Sequence, residues 1–137
     1  MPRFRHIALA GLTTLGIMLT ASPSASAFEL TGAWANDPDL CEKVFNKKDN
    51  QIVFSEFSEL YGSGFIVEGN VIRGKSARCT IKSKNESGAD IEIVAACTSS
   101  IMNQEVEFNL KVIDDNNLDR LFPDISGMSL RYARCSL

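Results

Sequence analysis

Four cysteines, a scatter of carboxylates and a single histidine are the residues of this chain whose types could do chemistry. The histidine is His6, inside an N-terminal stretch that reads as a leader. The remainder therefore has no imidazole to act as base, relay or metal ligand. That removes Ser-His-Asp, Cys-His and His-metal arrangements from the folded part. Cys41, Cys79, Cys97 and Cys135 contain no CxxC spacing. An even number in a small exported chain points to two disulfides, with three pairings open at this stage. Oxidised, they leave no thiolate nucleophile. Glu105 with Glu107, and Glu56 with Glu59, have the residue types of an acid–base pair, but the first pair falls on the polar face of an alternating strand and reads as solvated surface. Asp114-Asp115-Asn116-Asn117-Leu118-Asp119 offers calcium-type oxygens without the central glycine and closing glutamate of an EF-hand, and reads as a polar turn. Tyr61-Gly62-Ser63-Gly64 lacks the lysine of a phosphate loop and reads as a hairpin connection. The expectation is a protein that is not an enzyme, with no catalytic residue, no metal and no cofactor.

The leader has three parts. Arg3 and Arg5 form a positive start, an uncharged apolar run extends from Ile7 to Ala21, and Ala25-Ser26-Ala27 supplies the small residues of a cleavage site. The apolar run is short for a bilayer span, which needs about 20 residues. The reading is a cleavable secretory signal over 1–27, a single domain over 28–137, and a periplasmic or secreted location with no stable membrane anchor after cleavage. Removal of Arg3 and Arg5 leaves 12 basic against 17 acidic residues, a net charge of −5. An acidic domain without a basic stripe is a poor binder of nucleic acid, so no nucleic-acid partner is expected.

The 110 residues after the leader allow one core. Asp37-Pro38 has the form of a helix N-cap followed by proline at the first helical position, predicting a short helix through about Phe45, ended by Lys47-Lys48-Asp49-Asn50. Elsewhere the pattern alternates. Strands are expected over 29–35, 51–57, 63–68, 71–84 with a bulge at Gly74, 89–98, 105–114, 118–122 and 129–135. Val106, Phe108, Leu110 and Val112 mark one face of the clearest of them. About eight antiparallel strands in sequential order describe an all-β meander, either a small barrel or a curved sheet, with one short N-terminal helix.

The cysteines test a register. Placing Cys79 opposite Cys97 centres a hairpin on Gly88, a residue suited to the left-handed position of a tight turn. The same register sets Ile81 against Ala95 and Ser83 against Ile93. A Cys79–Cys97 bridge then leaves Cys41–Cys135 to tie the helix to the last strand.

Leu30-Thr31-Gly32-Ala33-Trp34 contains a Gly-x-Trp and the only tryptophan. This resembles the opening motif of lipocalins and related calycin-like barrels, and also of small periplasmic inhibitor-type β domains. The lipocalin resemblance implies that Trp34 plugs a closed end and that an arginine of the last strand, Arg131 or Arg134, lies over its indole. The chain is short for that family and lacks its long C-terminal helix. Function is expected to be binding: first, interaction with another extracytoplasmic protein, such as inhibition of a hydrolase, through the Tyr61–Phe65 loop (Tyr61, Ser63, Phe65) and the Ser99–Gln104 loop (Ile101, Met102). The alternative is a lipocalin-like carrier of a small apolar ligand among Phe54, Phe65, Ile93 and Phe108, set by whether the barrel is filled or hollow.

Overall fold

The computed structural model describes residues 21, 22 and 27–137; the signal segment read over 1–27 lies almost wholly outside the described residues. Alternation of apolar and polar side chains builds a run of strands: β1 (Gly32–Ala35), β2 (Phe45–Lys48), β3 (Gln51–Phe54), β4 (Gly64–Glu68), β5 (Val71–Arg73), β6 (Ala77–Ser87), β7 (Asp90–Ser99), β8 (Asn103–Asp114), β9 (Asn117–Leu121) and β10 (Ser129–Arg134). Eight of them, β1 and β4 to β10, close into an antiparallel barrel in sequential order, with β1 paired to both β4 and β10. Closure leaves no barrel edge unpaired.

The helix starts where its cap signal places it. Asp37 accepts from the Asp39 N–H, Pro38–Leu40 form a 3-10 turn, and α1 (Cys41–Val44) comes next. It ends one residue before the expected Phe45, and the chain then enters a strand instead of a loop. Phe45–Lys48 pairs with Gln51–Phe54 in a second, two-stranded sheet, turning at Asp49 and Asn50, both with positive φ as a tight hairpin requires. This hairpin and α1 lie outside the barrel. There they cover the outward faces of β1 and β4, where Ala33, Ala35 and Ile66 pack with Cys41, Val44 and Phe45. Gly64 permits the approach: a Cβ there would sit 2.6 Å from the Phe45 ring.

Both expected bridges form, Cys79–Cys97 across β6 and β7, and Cys41–Cys135 from α1 to the end of β10. Ile81 faces Ala95, as expected, but the pairing then shifts, so that Ser83 meets Val94 and Lys84 meets Ile93. The irregularity therefore sits near Lys82 rather than at Gly74. Gly74 instead ends β5, donating its N–H to the Ala77 carbonyl in a tight connection. The Tyr61–Gly64 segment is also no hairpin, because it joins β3 of the small sheet to β4 of the barrel through a 3-10 turn, Ser58–Tyr61.

Candidate functional site

Strand direction sorts the connections to two ends. Gly69-Asn70, Gly88-Ala89 and Asp115-Asn116 turn at one end, beside the entry to β1. The connections 55–63, 74–76, 100–102 and 122–128 all lie at the other.

The first end is closed. Trp34 is fully buried and donates from Nε1 to the Leu30 carbonyl at 2.9 Å. Arg134, on the inward phase of β10, lies over the indole with its guanidinium carbon 4.3 Å from the ring centroid, and 5.9 Å from that of Phe28. Its N–H groups donate to the carbonyls of Glu29, Thr31 and Asp115, lacing the entry segment and the β8–β9 turn across the barrel floor. Gly32 holds φ +129°, and a Cβ there would approach the Arg134 side chain at 3.3 Å. Of the two arginines expected over the tryptophan, the one present is Arg134. Arg131 points outward and pairs with Asp119, which holds the guanidinium proton more firmly than usual.

An aromatic row leads from this plug into the barrel. Phe65 stacks on Trp34, with centroids 6.2 Å apart and planes 13° from parallel, and meets Tyr132 edge-on at 5.0 Å. Beyond Phe65 the interior is hollow. A cavity of about 300 Å³ runs from Leu30, beside the plug, to Gly74, Ala77 and Gln104 at the open strand ends, lined by Phe65, Ile72, Phe108, Leu110, Tyr132 and the Cys79–Cys97 bridge, among others. Arg120 is the one charged residue in its wall. Its guanidinium carbon stands 4.6 Å from the Phe108 ring centroid and 4.9 Å from that of Phe122. The Tyr132 hydroxyl is engaged by Ser63 Oγ at 3.2 Å. A wider depression of about 920 Å³ lies at the closed end, but the cation on it, Arg134, is already bonded to backbone.

The rim of the open end is apolar. Phe57, Leu60 and Tyr61 (connection 55–63), Ile101 and Met102 (100–102), and Ile125 and Met128 (122–128) are all exposed, Ile101 by 85% and Leu60 by 74%. The two loops singled out for a partner thus share one end with the cavity mouth. Tyr61 lies under Lys43, whose ammonium is 5.6 Å from the ring centroid, and Ser63 is spent on Tyr132. Phe65 is not a loop residue, because it faces inward on β4 against Trp34. Of the residues proposed around an apolar ligand, Phe65 and Phe108 line the cavity. Ile93 is buried in the barrel core without lining the cavity, and Phe54 packs on Phe45 in the outer cluster, away from the interior. Arg120 is a wall residue that the sequence reading misses; its signal is that it falls between Leu118 and Phe122 on an alternating strand, in the inward phase.

Fold and cavity define a class: a closed, eight-stranded antiparallel barrel of small size, sealed at one end and hollow at the other. No protein-family model, curated protein or solved structure matches the chain.

Proposed function

We propose that the protein is an exported, non-enzymatic carrier of a small, largely apolar ligand, similar in plan to a lipocalin. The observation that carries this reading is the 300 Å³ cavity at the open end, walled mostly by apolar and aromatic side chains. It sits at the low end of the size of small-molecule sites, about 300–1,000 Å³. The Gly-x-Trp plug with its arginine supports the lipocalin-like reading, and the two disulfides support an oxidising compartment outside the cytoplasm. Fluorescence titration with the small neutral apolar probe 1-aminonaphthalene, close in size to the cavity, tests it. Saturable one-to-one binding is expected, and Val106→Trp, which fills the cavity from β8, abolishes it while the fold stays cooperative in urea. Binding that is unsaturable, or indifferent to Val106→Trp, refutes the carrier reading.

A second reading rests on the rim. Seven exposed large apolar residues on three connections at one end are a surface of the kind that docks on protein, which supports an interaction module, such as a hydrolase inhibitor. Leu60→Asp with Ile101→Asp then removes a site-specific cross-link to the extracytoplasmic partner and leaves probe binding intact. A cross-link that survives both substitutions counts against it.

A further inference from the structure

Arg120 and Arg134 both lie inside the barrel with their guanidinium groups against aromatic rings, yet they are provisioned differently. The donors of Arg134 are taken up by three backbone carbonyls. Among the described residues, the ion pairs join Arg73 to Glu68, Lys75 to Glu59, Lys84 to Glu86 and Arg131 to Asp119, and none includes Arg120. Nor does any side-chain hydrogen bond of the described residues begin at its guanidinium. Its neighbours are ring faces, Phe108 and Phe122, which attract the cation but accept no directed N–H bond of ordinary strength. The nearest carboxylate in sequence, Asp119, is on the opposite face of β9, committed to Arg131.

Arg120 is half-buried and no buried side-chain donor of the described residues lacks a partner, so its free N–H groups keep a face that an acceptor entering the cavity can reach. A guanidinium offers a planar fork of donors that matches a carboxylate in two parallel bonds. One cation in the wall balances one negative charge. The rest of the lining, with Phe65, Ile72 and Leu110, suits an alkyl or aromatic body. The cavity has room for roughly ten non-hydrogen atoms at about 30 Å³ each, the share of volume of a liquid water.

We infer that the cavity is selective for small amphipathic monocarboxylates, with the carboxylate on Arg120 and the apolar body directed toward Phe65 and Leu110. This rests on the carrier reading and goes beyond it by naming the ligand class and the residue that reads it. Octanoate and octan-1-ol are matched probes, nearly equal in size and different in charge. Each is used to displace 1-aminonaphthalene from the wild-type protein and from Arg120→Met, Arg120→Lys and Arg131→Met, with urea melts to verify folding.

Wild-type protein should be emptied of the fluorophore by octanoate at about tenfold lower concentration than by octanol, as expected for a charge-assisted pair in a part-buried site. Arg120→Met should bring the ratio to near one, Arg120→Lys should retain part of it, and Arg131→Met, on the outer face of the neighbouring strand, should leave it unchanged. A ratio near one in the wild type, or a ratio that survives Arg120→Met, overturns the assignment while the carrier reading stands. Failure of the neutral fluorophore and of both displacers to bind the wild type removes the carrier reading, and this inference with it.

Discussion

The two ends of the barrel are built from the same parts and put them to opposite use. At the closed end, Arg134 lies over Trp34 and hands its donors to carbonyls of the entry segment and of the β8–β9 turn, so that the cation is consumed in holding the floor together. At the open end, Arg120 lies between Phe108 and Phe122 with no acceptor among the described residues, above a void rather than above a tryptophan. The closed end has polar turns, and the open end carries seven exposed large apolar residues. Two guanidinium groups over aromatic rings thus differ in where their N–H groups go, and the aromatic contact alone does not distinguish them.

The largest effects fall on the bonds that staple the fold. Replacing Cys41 and Cys135 by serine frees a 94-residue separation, and the chain-entropy model assigns such a loop about 4.7 kcal/mol. The Cys79–Cys97 pair spans 18 residues and is worth about 3 kcal/mol on the same basis. Urea unfolding of the two double variants should rank them in that order, and equal losses would break the model for this chain. Trp34→Ala comes next, with about 3–5 kcal/mol lost from a fully buried aromatic. Arg134→Met should cost about 1–3 kcal/mol through the carbonyls it abandons. Arg120→Met should cost less than Arg134→Met, about 0.5–1 kcal/mol, because it loses ring contacts with Phe108 and Phe122 but abandons no carbonyl. If the two arginine variants melted alike, the contrast between the ends would fail.

The smallest effect is a dependence on pH at the closed end. Asp114 accepts from the Asn116 N–H at 2.8 Å and from the Asn117 side chain, which holds its carboxyl below the usual Asp range. A depressed folded-state value contributes stability that is present above the unfolded value and is lost as pH falls through the folded one. The stability gap between wild type and Asp114→Ala should therefore be open at neutral pH and narrow below about pH 3.9. A gap that widens on acidification would show that the turn does not favour the charged carboxylate.

Much of the barrel is legible from local pattern because its strands are sequential neighbours. Each alternating run, such as Val106-Glu107-Phe108-Asn109-Leu110, has its partner one turn away, and the symmetry of Cys79 and Cys97 about Gly88 supplies the hairpin register. Sequence and structure part where a local signal is ambiguous. Phe45–Lys48 has one buried residue and comes after a strong helix cap, so it reads as a helix end. It becomes a strand because Asp49-Asn50 folds Gln51–Phe54 back onto it. The bulge near Lys82 has no glycine to mark it. Arg120 on a strand reads as a solvent-facing charge by residue type, against the inward phase it shares with Leu118, and the packing of Leu118 on Tyr132 shows that the phase prevails.

The absence of an imidazole after His6, the acidic balance, the all-β alternation, an even set of four cysteines and the Gly-x-Trp that begins the barrel are all set by the sequence. These depend on residue identity and on spacings of a few positions, where period-two alternation and turn chemistry act locally. Tertiary structure alone decided that the meander closes, that Arg134 rather than Arg131 seals Trp34, and that the interior stays hollow around Arg120. Each of those depends on which side chains meet across the barrel from strands far apart in sequence, and volume and hydrogen-bond satisfaction inside a closed sheet are properties of all eight strands together.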